Sequence, residues 1–256
     1  MCNLYNVTSN QEAIRSFVKA TRDLFGNLES SINIYPDQMA PIVRNNDGER
    51  EMVRVRWGLP SSQKALLEAA TKRADKLRAK GKTVNFDELL KMEPDGGVTN
   101  VRNTASRHWS RWLGSENRCV VPVTRFAEPD PASKVEGGRV PNAWFARTPE
   151  QPLMFFAGIW VPQWECVRKV KEGLITTDLF AFLTTEPNAI VAPIHQKAMP
   201  VLLTEMEEVE VWLTAPWETA RHLQRPLPAD QLVLLPPQPE ASSSLPQAPV
   251  EEPKLL

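Results

Sequence analysis

The sequence predicts an α+β fold in which a mixed β-sheet curls into a barrel-like core and helices lie at its periphery. The middle of the chain holds closely spaced β-rich segments at residues 118–128, 142–146, 153–161, 179–185 and 199–203. Turn-forming pieces such as Pro129-Asp130-Pro131 separate these segments. The helical patterns cluster before and after them instead of alternating with them, which disfavours a parallel sheet built from βαβ units.

The elements outside this core can be assigned in chain order. Apolar residues at helical spacing predict a helix over residues 12–25. Residues 52–57 alternate valines with arginines, which indicates a strand, and the strand ends at Gly58-Leu59-Pro60. One apolar face over residues 63–80 predicts a second helix, and residues 205–215 predict a helix on the surface.

The predicted helix at residues 63–80 carries an unusual charge. Between residues 63 and 82 there are seven lysines and arginines against two acidic residues, which gives a local charge of +5. Such a run is most simply a solvated helix face, but it could also attract a polyanion.

The bulk composition is that of an ordinary soluble globular protein. The 256 residues are 42% hydrophobic and 24% charged, with a net charge of −1, so no global nucleic-acid signature is present. The odd set of three cysteines, Cys2, Cys119 and Cys166, has no metal-site spacing and suggests a reducing compartment. The longest apolar stretch, residues 152–162, is too short to span a bilayer. We therefore expect a cytoplasmic protein that uses no membrane, metal or cofactor.

The composition changes near the C-terminus. Residues 226–256 contain eight prolines in 31 positions together with a serine run, which predicts a disordered tail after a single domain at 1–225. Val233-Leu234-Leu235 is the exception, because this apolar stretch could add a late strand to the core.

The N-terminus begins Met1-Cys2, and the small side chain at position 2 predicts removal of Met1. A free N-terminal cysteine carries an α-amine, with a reference pKa of about 7.7–8.0, and a thiol, with a pKa of about 8.5, on adjacent carbons. Such a 1,2-aminothiol condenses with an aldehyde to an imine, which the thiol closes into a thiazolidine. The alternative is that Cys2 is simply a small buried hydrophobe.

Three further stretches place polar groups where an apolar core would not favour them. Asn100 and Arg102 lie in a loop, Glu128 ends an apolar strand, and His195 follows Ala192-Pro193-Ile194. Histidine titrates near neutral pH, so His195 is a candidate to donate or accept a proton. Each group taken alone could instead be structural, as a satisfied loop, a rim charge or a core histidine.

Together these stretches resemble the SRAP family, the abasic-site processing proteins, from Cys2 to about residue 204. The family's Met-Cys start matches Met1-Cys2, and its Arg-Trp-Gly-Leu motif is intact at residues 56–59. Its Asn-Ala-Arg-x-Glu-Thr motif resembles residues 100–105. Its Cys-x-x-Pro-x-x-Gly-Phe-Tyr-Glu-Trp strand resembles residues 119–129, and its Thr-Thr-x-Ala-Asn…Ala-Pro-Ile-His-x-Arg-Met-Pro stretch resembles residues 184–200.

The sequence departs from the family pattern in several places. Arg125 and Ala127 replace the glycine and tyrosine before the glutamate, and Pro129 replaces the tryptophan after it. One extra residue follows the histidine, which leaves open whether Lys197 stands for the family arginine. The basic helix also lengthens the chain between Trp57 and Asn100.

The resemblance implies a monomer that senses abasic sites in single-stranded DNA, shields them in the DNA damage (SOS) response, and associates with the nucleoid when bound. It implies that Cys2 forms a covalent thiazolidine cross-link while Glu128 and His195 move protons. It further implies that Asn100 and Arg102 bind the substrate, with Lys197 at the same site.

The family's peptidase-like features leave other activities open, including a lyase and autoprocessing of Met1. The main competing prediction is an N-terminal-nucleophile cysteine peptidase or amidase, and a third is a non-catalytic single-strand binder. Trp57 and Trp109 are candidates for stacking on DNA bases, or else for core packing.

Overall fold

The computed structural model describes residues 2–24, 26 and 32–237. Its strands are β1 (Leu4–Val7), β2 (Arg22–Asp23), β3 (Ile32–Ile34), β4 (Met39–Asn46), β5 (Glu49–Trp57), β6 (Asn100–Val101), β7 (Arg118–Val123), β8 (Arg125–Pro129), β9 (Asn142–Ala146), β10 (Met154–Val167), β11 (Leu174–Thr185), β12 (Met199–Pro200), β13 (Leu202–Leu203) and β14 (Val233–Leu234). The α-helices are α1 (Gln11–Val18), α2 (Gln63–Arg78), α3 (Phe86–Lys91), α4 (Arg107–Ser110), α5 (Met206–Thr214) and α6 (Trp217–Ala220).

Five strands close into a ring, which confirms the predicted barrel-like core. The ring runs β11–β10–β7–β4–β5 and returns to β11. Four of its contacts are antiparallel, and the closing contact is parallel, with Leu179 opposite Arg56 and Phe180 opposite Trp57. Buried aromatic rings fill the core beside these strands, including Phe156 and Phe182, whose centroids lie 4.3 Å apart.

A second sheet in the order β14–β9–β8–β1–β3 lies against the barrel. The predicted segment 118–128 is divided between the two sheets, because the chain leaves the barrel at Thr124, which separates β7 from β8. Tyr5 on β1 joins the sheets by packing edge-on against Trp57 at 5.2 Å and Phe156 at 5.4 Å. The N-terminal segment is therefore held directly against the barrel core.

The basic segment forms an insertion between β5 and β6. Its two ends are tied together where Leu59 and Val98 exchange backbone hydrogen bonds of 2.9 and 2.8 Å. Helix α2 begins behind the N-cap Ser62, and its buried face consists of Ala70 and Ala74. Because the ends meet, the insertion leaves and rejoins the barrel close to Asn100.

The turn before the insertion requires glycine at position 58. Gly58 has a φ of +136°, and a Cβ there would lie 2.4 Å from Arg168 Nη2. Arg168 Nη1 donates to the Gly58 carbonyl at 3.2 Å, and its Nε bonds Asp37 at 3.0 Å. This buried guanidinium holds the Arg-Trp-Gly-Leu turn in place.

Two sequence expectations need correction. The first predicted helix, at 12–25, ends at Val18, because Lys19 adopts a left-handed φ of 51° and Leu24 is 55% exposed. The predicted domain end at 225 is too early, since β14 pairs with β9 and Leu232 is 2% exposed. Residues 238–256 of the predicted tail lie outside the described residues. Within the described chain, no helix is both long enough and apolar enough to cross a membrane.

Candidate functional site

The N-terminal cysteine and the predicted glutamate lie side by side. Strand β1 runs antiparallel to β8 with Leu4 opposite Ala127, so the residues just before Leu4 lie next to Glu128. Cys2 is 1% exposed, and its Sγ donates to the Leu4 carbonyl at 3.4 Å. Burial raises the pKa of the Cys2 thiol, and the negative charge of Glu128 raises it further.

Asn100 anchors Cys2 from the other side. Strand β6 lies parallel to β11 with Asn100 opposite Phe182, at the end of the barrel. The Asn100 Nδ2 donates to the Cys2 carbonyl at 3.1 Å and to Thr99 Oγ1 at 2.7 Å. Its Oδ1 is buried and accepts no hydrogen bond from the described residues, so one acceptor beside Cys2 is left unfilled.

Glu128 is a fully buried carboxyl at the centre of this group. Burial raises its pKa, because removing a carboxylate from water disfavours the charged form. A positive charge on His195 lowers the pKa of Glu128, so the two side chains lie close enough to interact electrostatically. Glu128 therefore binds a proton more readily than an exposed glutamate does.

His195 is held by a tight turn after β11. The Val191 carbonyl accepts from the backbone N–H of Ile194 at 3.0 Å and of His195 at 2.9 Å. The His195 Nδ1 lies 2.7 Å from the Ala198 carbonyl, which can only accept, and 3.3 Å from the Ala198 backbone N–H, which can only donate. The shorter contact favours the proton on Nδ1 in the neutral ring. This tautomer makes Nε2 the basic nitrogen.

Arg102 lies on the exposed rim of the site. Its Nη1 donates to the Lys197 carbonyl at 3.2 Å, and its Nη2 lies 3.6 Å from Glu186 Oε2. Thr185 Oγ1 donates to the same Glu186 oxygen at 2.9 Å and orients the carboxylate. Lys197 thus reaches Arg102 through its backbone, while its side chain is exposed.

The two candidate stacking tryptophans have different environments. Trp57 is 0% exposed, its Nε1 donates to the Thr99 carbonyl at 3.0 Å, and its ring packs on Phe182 at 5.2 Å. A fully buried ring cannot stack on a base, so the DNA-contact prediction for Trp57 is wrong and its core-packing alternative is right. Trp109 is half-buried beside His108, with ring centroids 4.2 Å apart.

The structure thus assembles Cys2, Asn100, Glu128 and His195 into one polar group at the end of the barrel, with Arg102 on its rim. A thiol, a carboxyl whose pKa burial raises and an imidazole, together with the amine that loss of Met1 would expose on Cys2, are the groups needed to condense a carbonyl compound. Among the described residues, no cluster of three or more histidine, cysteine, aspartate or glutamate side chains could hold a metal ion.

A family model for the SOS response associated peptidase (SRAP) domain matches residues 97–242, which is more than half of the chain. The chain belongs to the SRAP family. The matched region includes Asn100, Glu128 and His195, while Cys2 precedes it. No curated protein matches the chain.

Solved structures share this SRAP fold. A protein from Bordetella bronchiseptica is 25% identical, with a TM-score of 0.58, and the match covers 91% of this chain and 98% of that one. A protein from Bacteroides thetaiotaomicron is 17% identical with a TM-score of 0.59, and the match covers 91% of this chain and 90% of the other. A phage-related protein from Bordetella bronchiseptica is also 17% identical with a TM-score of 0.59, and the match covers 92% of this chain and 93% of the other.

Three residues of this SRAP site were not identified from the sequence. Thr99 accepts from Asn100, Glu186 pairs with Arg102, and the Gln224 Nε2 donates to the Arg102 carbonyl at 2.8 Å. Glu186 lies inside a family motif, but the sequence does not show that its carboxylate meets Arg102. Gln224 lies 122 residues from Arg102 and gives no local signal.

Proposed function

We propose that this chain senses abasic sites in single-stranded DNA and, after loss of Met1, links to them covalently through Cys2. The observation that carries the proposal is the placement of Cys2 against Glu128 with its carbonyl held by Asn100. This placement supports a nucleophile fixed at one point beside a proton donor. The covalent product would shield the lesion in the DNA damage response, and the protein would act as a cytoplasmic monomer.

The α-amine of Cys2 would react first. It attacks the aldehyde carbon of the ring-opened abasic sugar, and the resulting carbinolamine loses water to give an imine. Glu128, whose pKa burial raises, would donate a proton to the departing hydroxyl. The Nε2 of His195 is suited to accept the proton that the amine loses.

The thiol would then close the ring. Its sulfur bonds to the imine carbon, and its proton ends on the nitrogen, so the whole condensation releases one water and needs no oxidant. Because both nucleophiles belong to one residue, the second bond forms intramolecularly, where effective molarities reach about 10⁵–10⁸ M.

The state of the thiol favours an aldehyde over an amide as substrate. Attack on an amide starts from a thiolate, and burial of Cys2 raises its pKa and so disfavours that form. In thiazolidine closure the thiol can keep its proton until it meets the imine. Any lyase or Met1-removing activity would be additional to this chemistry.

Arg102 would bind a phosphate beside the lesion. Its guanidinium is half-exposed and positioned by the Lys197 carbonyl, which leaves N–H groups available for an anion. Asn100 Oδ1, which lacks a partner among the described residues, would accept a hydrogen bond from the cross-linked sugar.

The proposal is tested with an abasic oligonucleotide, the same strand after borohydride reduction of the aldehyde, and an undamaged strand. We expect a heat-stable protein–DNA band on a denaturing gel only with the intact aldehyde. The Cys2→Ser variant and a protein with a retained N-terminal tag should give no band. A full-strength adduct from Cys2→Ala would contradict the proposal, and amide hydrolysis without any adduct would favour the peptidase.

A further inference from the structure

A groove of about 320 Å³ opens on the surface beside Arg102 and has no part in the chemistry proposed above. One wall comes from the loop that follows β6, and the other comes from α6 and the turn after it. The residues that line it are Thr104, Ala105, Trp217, Arg221, His222 and Gln224. Its volume is at the lower end of the range for small-molecule sites, about 300–1,000 Å³.

Gln224 joins the floor of the groove to the rim of the site. Its Nε2 donates to the carbonyls of Arg102 at 2.8 Å and Thr184 at 3.0 Å, while its Oε1 accepts from Thr104 Oγ1 at 3.0 Å. The groove is therefore continuous with the loop that carries Arg102. Thr104 and Ala105, which line the groove, follow Arg102 by two and three residues, so the groove lies next to the loop that presents the Arg102 guanidinium.

The side chains of the groove fit a nucleotide. Trp217 is half-buried and packs edge-on against the buried Trp212 at 6.2 Å, which fixes the plane of its ring. Arg221 and His222 are exposed on the same wall. Arg221 is 3.5 Å from Glu218, but both side chains are more than half exposed, so this pair is weak and a phosphate can compete for the guanidinium.

We propose that this groove binds a base and phosphate of the strand that flanks the abasic site, on the side of the lesion where Arg102 lies. The inference rests on the proposed function for its substrate class, single-stranded DNA. An aromatic ring beside cations is the usual means of holding an unpaired nucleotide without reading its sequence. The groove thus gives the protein a polarity along the strand.

The test uses strands that contain a tetrahydrofuran abasic analogue, which has no aldehyde and cannot cross-link. A three-nucleotide strand is compared with strands extended by four nucleotides on the 5′ side or on the 3′ side, with affinities measured by fluorescence anisotropy. We expect extension on one side alone to raise the affinity, by roughly 5- to 160-fold, the range for one stacked base. Ala105→Trp, which fills the groove, and Arg221→Ala should reduce that gain towards 1-fold.

Matched variants keep the result specific. Ala13→Trp places the same bulk on an exposed alanine of α1, and Lys171→Ala removes an exposed cation outside the groove, so both should retain the full gain. Melting curves show whether each variant is folded. Equal gains on both sides, or a full gain in folded Ala105→Trp and Arg221→Ala, would overturn the proposal.

The outcome is separable from that of the proposed function. If a one-sided gain depends on the groove but true abasic strands never cross-link, the groove stands as a single-strand subsite and the Cys2 chemistry fails. If cross-linking occurs without a one-sided gain, the groove proposal alone fails.

Discussion

Replacing Glu128 with glutamine should separate the contribution of this residue to the reaction rate from its effect on the stability of the fold. Glu128 is fully buried, and burial raises its pKa above the usual value near 4.5. Between the unfolded and the folded pKa, the native state binds more protons than the unfolded state does. Stability therefore falls as the pH rises through that window, and above it the loss is constant.

Each unit by which the pKa is raised corresponds to about 1.4 kcal/mol of stability lost above the window. Glutamine has nearly the same shape but cannot ionise, so Glu128→Gln should remove this loss. The variant should melt at a temperature equal to or higher than that of the native protein at pH 8. A change of 1 kcal/mol shifts the melting temperature by about 2–4 °C in a chain of this size.

The reaction should respond in the opposite direction. Without a proton donor at this position, adduct formation at saturating DNA should slow by about 10²–10⁴-fold, the range for general acid catalysis. The assays are thermal melts at pH 5 and pH 8 and single-turnover cross-linking of an abasic strand. A variant that melts well below the native protein at pH 8, with cross-linking reduced only in proportion to its folded fraction, would show that Glu128 is structural.

Other predictions concern DNA binding and the extent of the fold. Arg102→Ala should weaken DNA binding and lower the slope of log affinity against log salt concentration by about 0.7, the value for one single-strand phosphate contact. Glu186→Gln should strengthen binding a few-fold, because it removes a carboxylate that competes for Arg102. Equal effects of the two variants on binding would refute this pairing. Lys72 and Lys76 are exposed and lie one helical turn apart on α2. The double variant Lys72→Glu with Lys76→Glu should lower the salt slope only if the insertion touches DNA, and an unchanged slope would show that α2 presents a solvated face. Truncation after residue 225 should lower the melting temperature, because each buried leucine that it removes contributes roughly 1.5–3 kcal/mol. Truncation after residue 237 should leave the melting temperature unchanged. Equal stability of the two truncated forms would contradict the packed position of β14.

The barrel was predictable because its strands are apolar and closely spaced, a pattern that a helical or βαβ fold does not produce. The division of one apolar run at Thr124 was not predictable, since Val123, Thr124 and Arg125 include no glycine or proline. The sequence supports the late strand β14 only as an alternative, because the surrounding prolines indicate disorder. Its leucines fill the core only once β9 is in place, and this is a tertiary effect.

The chemical residues of the site were predictable as types and motifs, but their environments were not. The site residues meet because two strands begin and one ends at the same side of the barrel. Strands β1 and β6 begin there, β8 ends there, and the turn after β11 adds His195 to Cys2, Asn100 and Glu128. Trp57 ends a strand of alternating arginines and valines, so the sequence does not show whether its ring faces the core or the DNA. Contacts such as Gln224 with Arg102 join residues more than a hundred positions apart and leave no local pattern.

The most direct test of the central claim is the mass of the N-terminal peptide after the protein is incubated with an abasic single strand and the DNA is digested. The account predicts a peptide that begins at Cys2, without Met1, and carries the abasic sugar with the loss of one water. Cys2→Ser should yield no thiazolidine. An unmodified Cys2 peptide together with an adduct at a lysine, or a modified peptide that still contains Met1, would contradict the account.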